Sequence, residues 1–470
     1  MKNDGKLHEE CAVFGASLHR KEAVGITYNG LLSLQHRGQE GAGIAGVCRN
    51  DIFCHKNTGL ISEVFSRETL EKFPKCQVAI GHTRYSTTGS NTVENVGPFV
   101  IEFLTGRLAT AHNGNITNAK ALREKLMQCG LHFRASSDSE VASALIAYCI
   151  TQKKNLIEGV KQAAQLLQGA FSLVVANGEG KLIAIRDPSG FRPLCIGQSE
   201  LGIAFASESC ALETCGFRFL RDVEPGEMVI AEHGRLTSES IRFAEENDGE
   251  HGLCVFEYVY FARSDSVLDG LSVYEARYNM GIALAEEYPV EADIVCGVPD
   301  SGLGAACGYS AYSHIPLVSG FVKNRYIGRS FIYPSQQERN SAVNLKLNPL
   351  SANVKGKRVV LVDDSIVRGT TSRKIIQSLK EAGALEVHMR VSSPPFVHAC
   401  HYGTDVDSEE NLIANQMSME EVCREIRADS LGYIGIKGLK KACAKSKRIF
   451  CTACFTGEDS FSQAKKDVFE

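Results

Sequence analysis

The chain has 470 residues, 44% hydrophobic and 23% charged, with 51 basic against 55 acidic residues and a formal charge of −4. These are the proportions of a soluble globular protein long enough for two or three domains. The lack of a basic excess speaks against a nucleic-acid coat, and no run reaches the roughly 18 apolar residues of a membrane helix.

Residues 1–10 are polar and lack the apolar core of a secretory signal, so a cytoplasmic protein is expected. Seventeen cysteines in so long a chain, an odd number, point to reduced, metal-bound or catalytic thiols rather than to a disulfide scaffold. Most of them should pack as small buried hydrophobes, Cys48, Cys149, Cys195 and Cys307 among them.

From Cys11 onward, residues 11–15, 108–112, 171–175 and 182–185 are short apolar runs bounded by Gly, Asn or Asp, and read as strands. Residues 140–149 and 156–167 carry helical apolar spacing. This mixture predicts layered sheets with helices outside. Residues 245–252 are polar and glycine-containing and make the expected domain boundary, with one domain over 11–243 and a second over 253–470. Beyond it the texture turns to strand–helix alternation. Residues 293–296 and 358–362 suit buried parallel strands, each followed by a Gly-containing turn and a helical pattern. A helix is predicted over 373–383, and Ser418-Met-Glu-Glu421 reads as a capping box.

Chemistry concentrates in three places. The run Val359-Val-Leu-Val-Asp-Asp-Ser-Ile-Val-Arg-Gly-Thr-Thr371 sets two carboxylates at the carboxyl end of a strand, where open α/β sheets bind ligands. Its small and hydroxyl residues then open a helix whose free N–H groups suit a phosphate. Asp363 and Asp364 can accept from adjacent sugar hydroxyls or bear on hydrated Mg²⁺. A surface turn that merely caps its helix is the plainer alternative for the carboxylate pair alone. The full run closely resembles the phosphoribosyl-diphosphate (PRPP) signature of type I phosphoribosyltransferases. That resemblance implies that Asp363 and Asp364 hold the ribose, and that Arg368, Gly369, Thr370 and Thr371 hold the 5′-phosphate. It also implies that Val298-Pro-Asp-Ser-Gly302 is the pyrophosphate loop, with Ser301 near the metal. Residues 323–347 resemble a loop that closes over PRPP, offering Lys323, Arg325, Arg329, Arg339 and Lys346 to the pyrophosphate and excluding water.

Cys11 alone would read as a packing cysteine. The segments that follow in order change this: 34–43 (LQHRGQEGAG), 81–86 (GHTRYS), 111–115 (AHNGN) and 136–140 (SSDSE). Together they resemble the class II glutamine amidotransferases of the N-terminal-nucleophile hydrolases, a four-layer αββα fold. A thiolate attacks the glutamine amide carbon, and an α-amine with pKa roughly 7.7–8.0 can serve as its base once Cys11 is residue one. Cleavage between Glu10 and Cys11 is therefore expected. By the same resemblance, Asn113 and Gly114 form the oxyanion hole, Arg84 pairs with the glutamine α-carboxylate and Asp138 with its α-ammonium. His82 and His112 read as structural. Ala12 stands where the family more often has glycine.

Cys451-Thr-Ala-Cys454 is half of a zinc or iron–sulfur site whose other half spacing cannot choose. Both halves of the chain together resemble the PRPP amidotransferases. One branch of that family implies a structural [4Fe–4S] cluster on Cys254, Cys400, Cys451 and Cys454. The family also implies transfer of glutamine-derived ammonia to C1 of PRPP in purine synthesis, purine-nucleotide inhibitors and a homotetramer.

Overall fold

The protein is described here by a computed structural model, covering residues 11–85, 92–241, 252–324, 347–400, 402–404, 408–446 and 448–458. The expected leader, the boundary segment apart from Gly252, and Arg325, Arg329, Arg339 and Lys346 lie outside the described residues.

Two antiparallel sheets form the first half. One has seven strands in the order β11 (Arg218–Asp222), β9 (Cys195–Ser199), β10 (Gly202–Ala206), β1 (Ala12–Leu18), β4 (Val78–Arg84), β2 (Gly41–Cys48), β3 (Asp51–Thr58). The other has six, in the order β13 (Arg235–Ser240), β12 (Glu227–Glu232), β8 (Leu182–Arg186), β7 (Gly169–Asn177), β6 (Gly106–Ile116), β5 (Phe99–Phe103). All seven residues of β1 are buried, because each of its faces is covered. Val13 points between the sheets, beside Val78, Ile80, Ala111 and Val174. Its neighbour Phe14 points the other way, toward Leu31 of the helix Ala23–Ser33. That two-residue alternation is the pleat itself. On the far side, the helices Asp138–Lys153 and Leu156–Leu166 cover Leu108, Phe171 and Leu173. The result is the expected four-layer αββα sandwich.

The runs that read as strands sit inside longer strands. The run 108–112 is the middle of β6, which continues through Asn113 and Gly114 to Ile116. Asn and Gly are poor strand formers, so the local signal stops at His112. Pairing of Asn113 with Ser172 and of Gly114 with Phe171 on β7 carries the strand on.

The second half is built on a parallel sheet in the order Ile294–Gly297, Arg358–Asp363, Glu386–Val391, Ser430–Tyr433. Val360 and Val362 face the helices Val273–Glu287 and Gly302–Ser313. Val359 and Leu361 face Ile375, Ile376 and Leu379 of the helix Thr370–Glu381. With helices on both faces, the strands read as continuous apolar runs. Ser418 and Glu421 form the predicted capping box. Near the C-terminus Ile449–Cys451 pairs in parallel with Gly252–Cys254, and the Gly252 N–H donates to Ser189 O (2.6 Å), which fastens this ribbon to the first half.

Candidate active sites

Cys11 stands immediately before β1, half-buried, with its Sγ donating to Tyr85 O at 3.5 Å. Because Ala12 pairs with Thr83, the end of β4 runs alongside, and Arg84 lies next to the thiol. Arg84 is 3% exposed and donates to Asn95 O. Burial draws its pKa down, while Cys11, Glu40 and Asp138 pull the other way, so thiol, guanidinium and carboxylate share one electrostatic environment.

Asp138 is the first residue of its helix, at the positive end of the dipole. Its Oδ2 accepts the Ile116 N–H at 2.9 Å, tying it to β6 just beyond Asn113 and Gly114. Asn113 is fully buried, and neither its Nδ2 nor its Oδ1 has a hydrogen-bond partner among the described residues. A buried amide left unsatisfied costs free energy, so a ligand group is the natural completion. Gly114 has φ +143°, and a Cβ there would lie 2.0 Å from Ala170 O; only glycine fits this close approach of β6 to β7. Of the two histidines, His112 Nδ1 lies 2.9 Å from Ser139 Oγ, and burial pushes His82 down to about 3, so it is neutral.

The second site lies at the carboxyl edge of the parallel sheet. Asp363 ends its strand, and Asp364 follows with its N–H donating to Asp363 Oδ1 at 3.0 Å. Both are 8% exposed. Ser301 and Ser365 donate their hydroxyls to Asp364, so the turn 298–302 and the acidic pair form one constellation. Lys323 pairs with Asp300 of the same turn. Gly369, with φ +74°, caps the helix Thr370–Glu381 in a conformation that glycine adopts without strain. Thr370 is exposed and Thr371 half-buried, leaving the first-turn N–H groups beside the acidic pair's loop.

The four expected cysteines come together from three distant segments. Ribbon pairing sets Cys254 opposite Cys451. Burial drives the Cys454 thiol well above its ordinary value, and Cys400, Cys254 and Cys451 each raise it further. Cys400 Sγ accepts the Tyr402 N–H at 3.4 Å. Among the described residues, no three His, Cys, Asp or Glu side chains stand as ligands of a single metal ion. A four-iron cluster needs its thiolates farther apart, because iron and sulfide lie between them. Cys254 and Cys451 are buried and Cys400 and Cys454 half-buried, an all-thiol set of the chemistry that an iron–sulfur cluster takes.

Several residues that connect these segments escaped sequence reasoning. Asn95 Oδ1 accepts the N–H groups of Ser136 (2.8 Å) and Ser137 (3.0 Å) while its carbonyl holds Arg84, so it joins the Arg84 and Asp138 segments. Glu208 and Glu257 gather around Arg37, whose Nε donates to Cys11 O at 3.3 Å. Their partners lie some 170 to 220 residues away in sequence, which no local pattern reveals.

A glutamine amidotransferase domain matches residues 82–214, and a phosphoribosyl transferase domain matches residues 273–393. The amidophosphoribosyltransferase of Synechocystis is 47% identical over 96% of this chain and 91% of its own length. That of Bacillus subtilis is 47% identical over 96% and 94%, and that of Methanocaldococcus jannaschii 45% over 95% and 97%. The chain belongs to the amidophosphoribosyltransferase family. The solved B. subtilis glutamine PRPP amidotransferase complexed with ADP and GMP superposes with a TM-score of 0.86 at 45% identity, covering 95% of this chain and 97% of that one. The activity is accordingly that of a glutamine-dependent amidophosphoribosyltransferase, a glycosyltransferase with a glutamine amidotransferase domain at the first step of purine biosynthesis. No helix among the described residues is long and apolar enough to cross a membrane.

Proposed function

We propose that Cys11 is the glutaminase nucleophile, exposed as residue one by loss of residues 1–10, with its α-amine as base. The thiolate adds to the glutamine amide carbon, Asn113 Nδ2 and the Gly114 N–H stabilise the oxyanion, and ammonia leaves as a thioester forms. Water then releases glutamate. Arg84 and Asp138 orient the substrate through its α-carboxylate and α-ammonium. The observation that carries this reading is the buried, unpartnered Asn113 amide in the wall that also brings Cys11, Arg84 and Asp138 together.

At the second site Asp363 and Asp364 hold the ribose hydroxyls as positive charge develops at C1. Arg368, Gly369, Thr370 and Thr371 bind the 5′-phosphate, and Lys323 with Arg325 approaches the pyrophosphate. The oxygen-only set of Ser301, Asp363 and Asp364 suits Mg²⁺, which when bound neutralises pyrophosphate charge. Ammonia attacks C1, pyrophosphate departs, and 5-phosphoribosylamine results.

We place the chain in the leader-bearing, cluster-containing branch, with Cys254, Cys400, Cys451 and Cys454 holding a [4Fe–4S] cluster that staples the ribbon to the sheet. Purine nucleotides as inhibitors, a homotetramer and a cytoplasmic location complete the proposal. The nucleotide reading is supported by the ADP and GMP bound to the B. subtilis relative.

The test uses anaerobically purified protein with glutamine, PRPP and Mg²⁺. Equal, PRPP-dependent release of glutamate and pyrophosphate is expected. Glutamate without matching pyrophosphate would contradict coupled transfer. Intact mass should begin at Cys11, and full-length protein with full glutaminase activity would refute processing. Iron and sulfide should each approach about four per chain; a colourless protein holding zinc and no sulfide would overturn the cluster.

A further inference from the structure

Arg37 carries a charge that no solvent reaches, with 0% exposure. Burying a guanidinium is costly unless its donors and charge are answered. They are answered from three directions. Nε donates to Cys11 O at 3.3 Å, and Nη1 donates to Glu208 Oε1 at 2.8 Å. Glu257, which opens a helical turn (Glu257–Phe261) in the second half of the chain, takes both Nη groups in a fork at 2.8 and 2.7 Å. A bidentate fork fixes the plane of the guanidinium, as a single contact would not.

That plane matters because Cys11 O belongs to the peptide that joins Cys11 to β1. Holding this carbonyl restricts rotation about the bond that aims the residue's amine and Sγ. The first domain alone offers Glu208, which is shared with His36 Nε2 (2.8 Å), Ser266 Oγ (2.7 Å) and the Arg263 N–H (2.9 Å). Burial opposes its ionisation, but His36 and Arg37 outweigh that and hold it ionised.

The Glu257 turn is itself clamped. Arg277, from the helix Val273–Glu287, donates to the carbonyls of Tyr258 (2.8 Å), Tyr260 (3.0 Å) and Ala262 (2.8 Å). Burial lowers Arg277 to about 10, while the charges of Asp364, Glu208 and Glu257 oppose that shift. Buried groups therefore run from Arg277 through the Glu257 turn to Arg37 and the main chain of Cys11.

We propose that Arg37 is a positioning residue for the Cys11 nucleophile and that Glu257, reaching across from the phosphoribosyltransferase half, holds it in place, so that glutamine hydrolysis depends on the docked second domain. This rests on the reading of Cys11 as nucleophile.

The test compares Glu257→Gln, Arg37→Lys and Cys11→Ala in the full chain, with turnover driven by glutamine or by added ammonia. Gln keeps an acceptor but loses the charge, and Lys keeps the charge but loses the fork and Nε. For both variants kcat with glutamine should fall about tenfold or more while KM for glutamine and ammonia-driven turnover stay within about twofold. Glu257→Asp, which keeps the carboxylate, should recover part of the loss. Unchanged glutamine turnover would overturn the proposal. So would a rise in KM alone, or an equal fall in the ammonia reaction, which would make the pair a general fold element. Cys11→Ala retaining glutamine turnover would instead overturn the nucleophile assignment.

Discussion

The two halves prepare their sites in opposite ways. In the first, the groups proposed to act on glutamine sit on strands and at a helix start inside a doubly covered antiparallel sandwich, and the buried Asn113 amide has no hydrogen-bond partner among the described residues. In the second, Asp363 and Asp364 lie at a sheet edge, and Asp364 is already satisfied by the hydroxyls of Ser301 and Ser365. The difference teaches where each site stores its binding energy. The proposed glutamine site gains when a ligand meets the Asn113 amide. The ribose site must exchange protein hydrogen bonds for substrate ones, which suits a site assembled from loops.

Perturbations of the two sites should separate accordingly. The largest effect is expected at the acidic pair: Asp363→Asn or Asp364→Asn should lower both the glutamine- and ammonia-driven reactions by about 10²-fold or more. Steady-state pyrophosphate release checks this, and loss of only the glutamine reaction would contradict it. Asn113→Ala should cut glutamine turnover by about 10²–10³ while leaving the ammonia reaction nearly intact, as expected for one oxyanion donor. Gly114→Ala should cost about 2–4 kcal/mol of stability as well as glutaminase activity, because the new Cβ meets Ala170 O at a positive φ. Denaturant unfolding of the first domain would measure it.

The smallest effect concerns the seam between the halves. Asp269 forms a fork with Arg186 (3.0 and 2.8 Å) and accepts from Arg448 at 3.2 Å. Asp222 beside them is raised from 3.8 to about 7, by burial first and then by the Asp269 charge. The native state then holds an extra proton between those values, so this group's contribution to stability is present at low pH and is lost as pH rises toward 7. Asp222→Asn should raise the melting temperature relative to the parent more at pH 8 than at pH 5. Equal shifts at both would contradict this assignment.

Much of this architecture was legible in the sequence. Apolar runs marked the strands around Val174 and Val360, because burial on both faces leaves a continuous pattern, and the Asp363–Thr371 signature pointed to the carboxyl edge of the parallel sheet. Strand ends were less legible: Asn113 and Gly114 interrupt the local signal, and only pairing with β7 shows that β6 continues. The cysteines followed the same logic. Spacing revealed Cys451 and Cys454, resemblance supplied Cys254 and Cys400, and the structure sets them side by side. The Arg37–Glu257 contact was invisible: Arg37 lies in the 34–43 segment, but nothing local pairs it with Glu257, and their meeting depends on domain docking.

The central claim is that one chain makes ammonia at Cys11 and uses it at Asp363 and Asp364. Pyrophosphate release by Cys11→Ala, measured with glutamine and again with ammonia, tests it most directly. The account predicts no detectable glutamine-driven release and ammonia-driven release close to that of the parent chain. Glutamine-driven release persisting in Cys11→Ala, or loss of both reactions together in a folded protein, would contradict it.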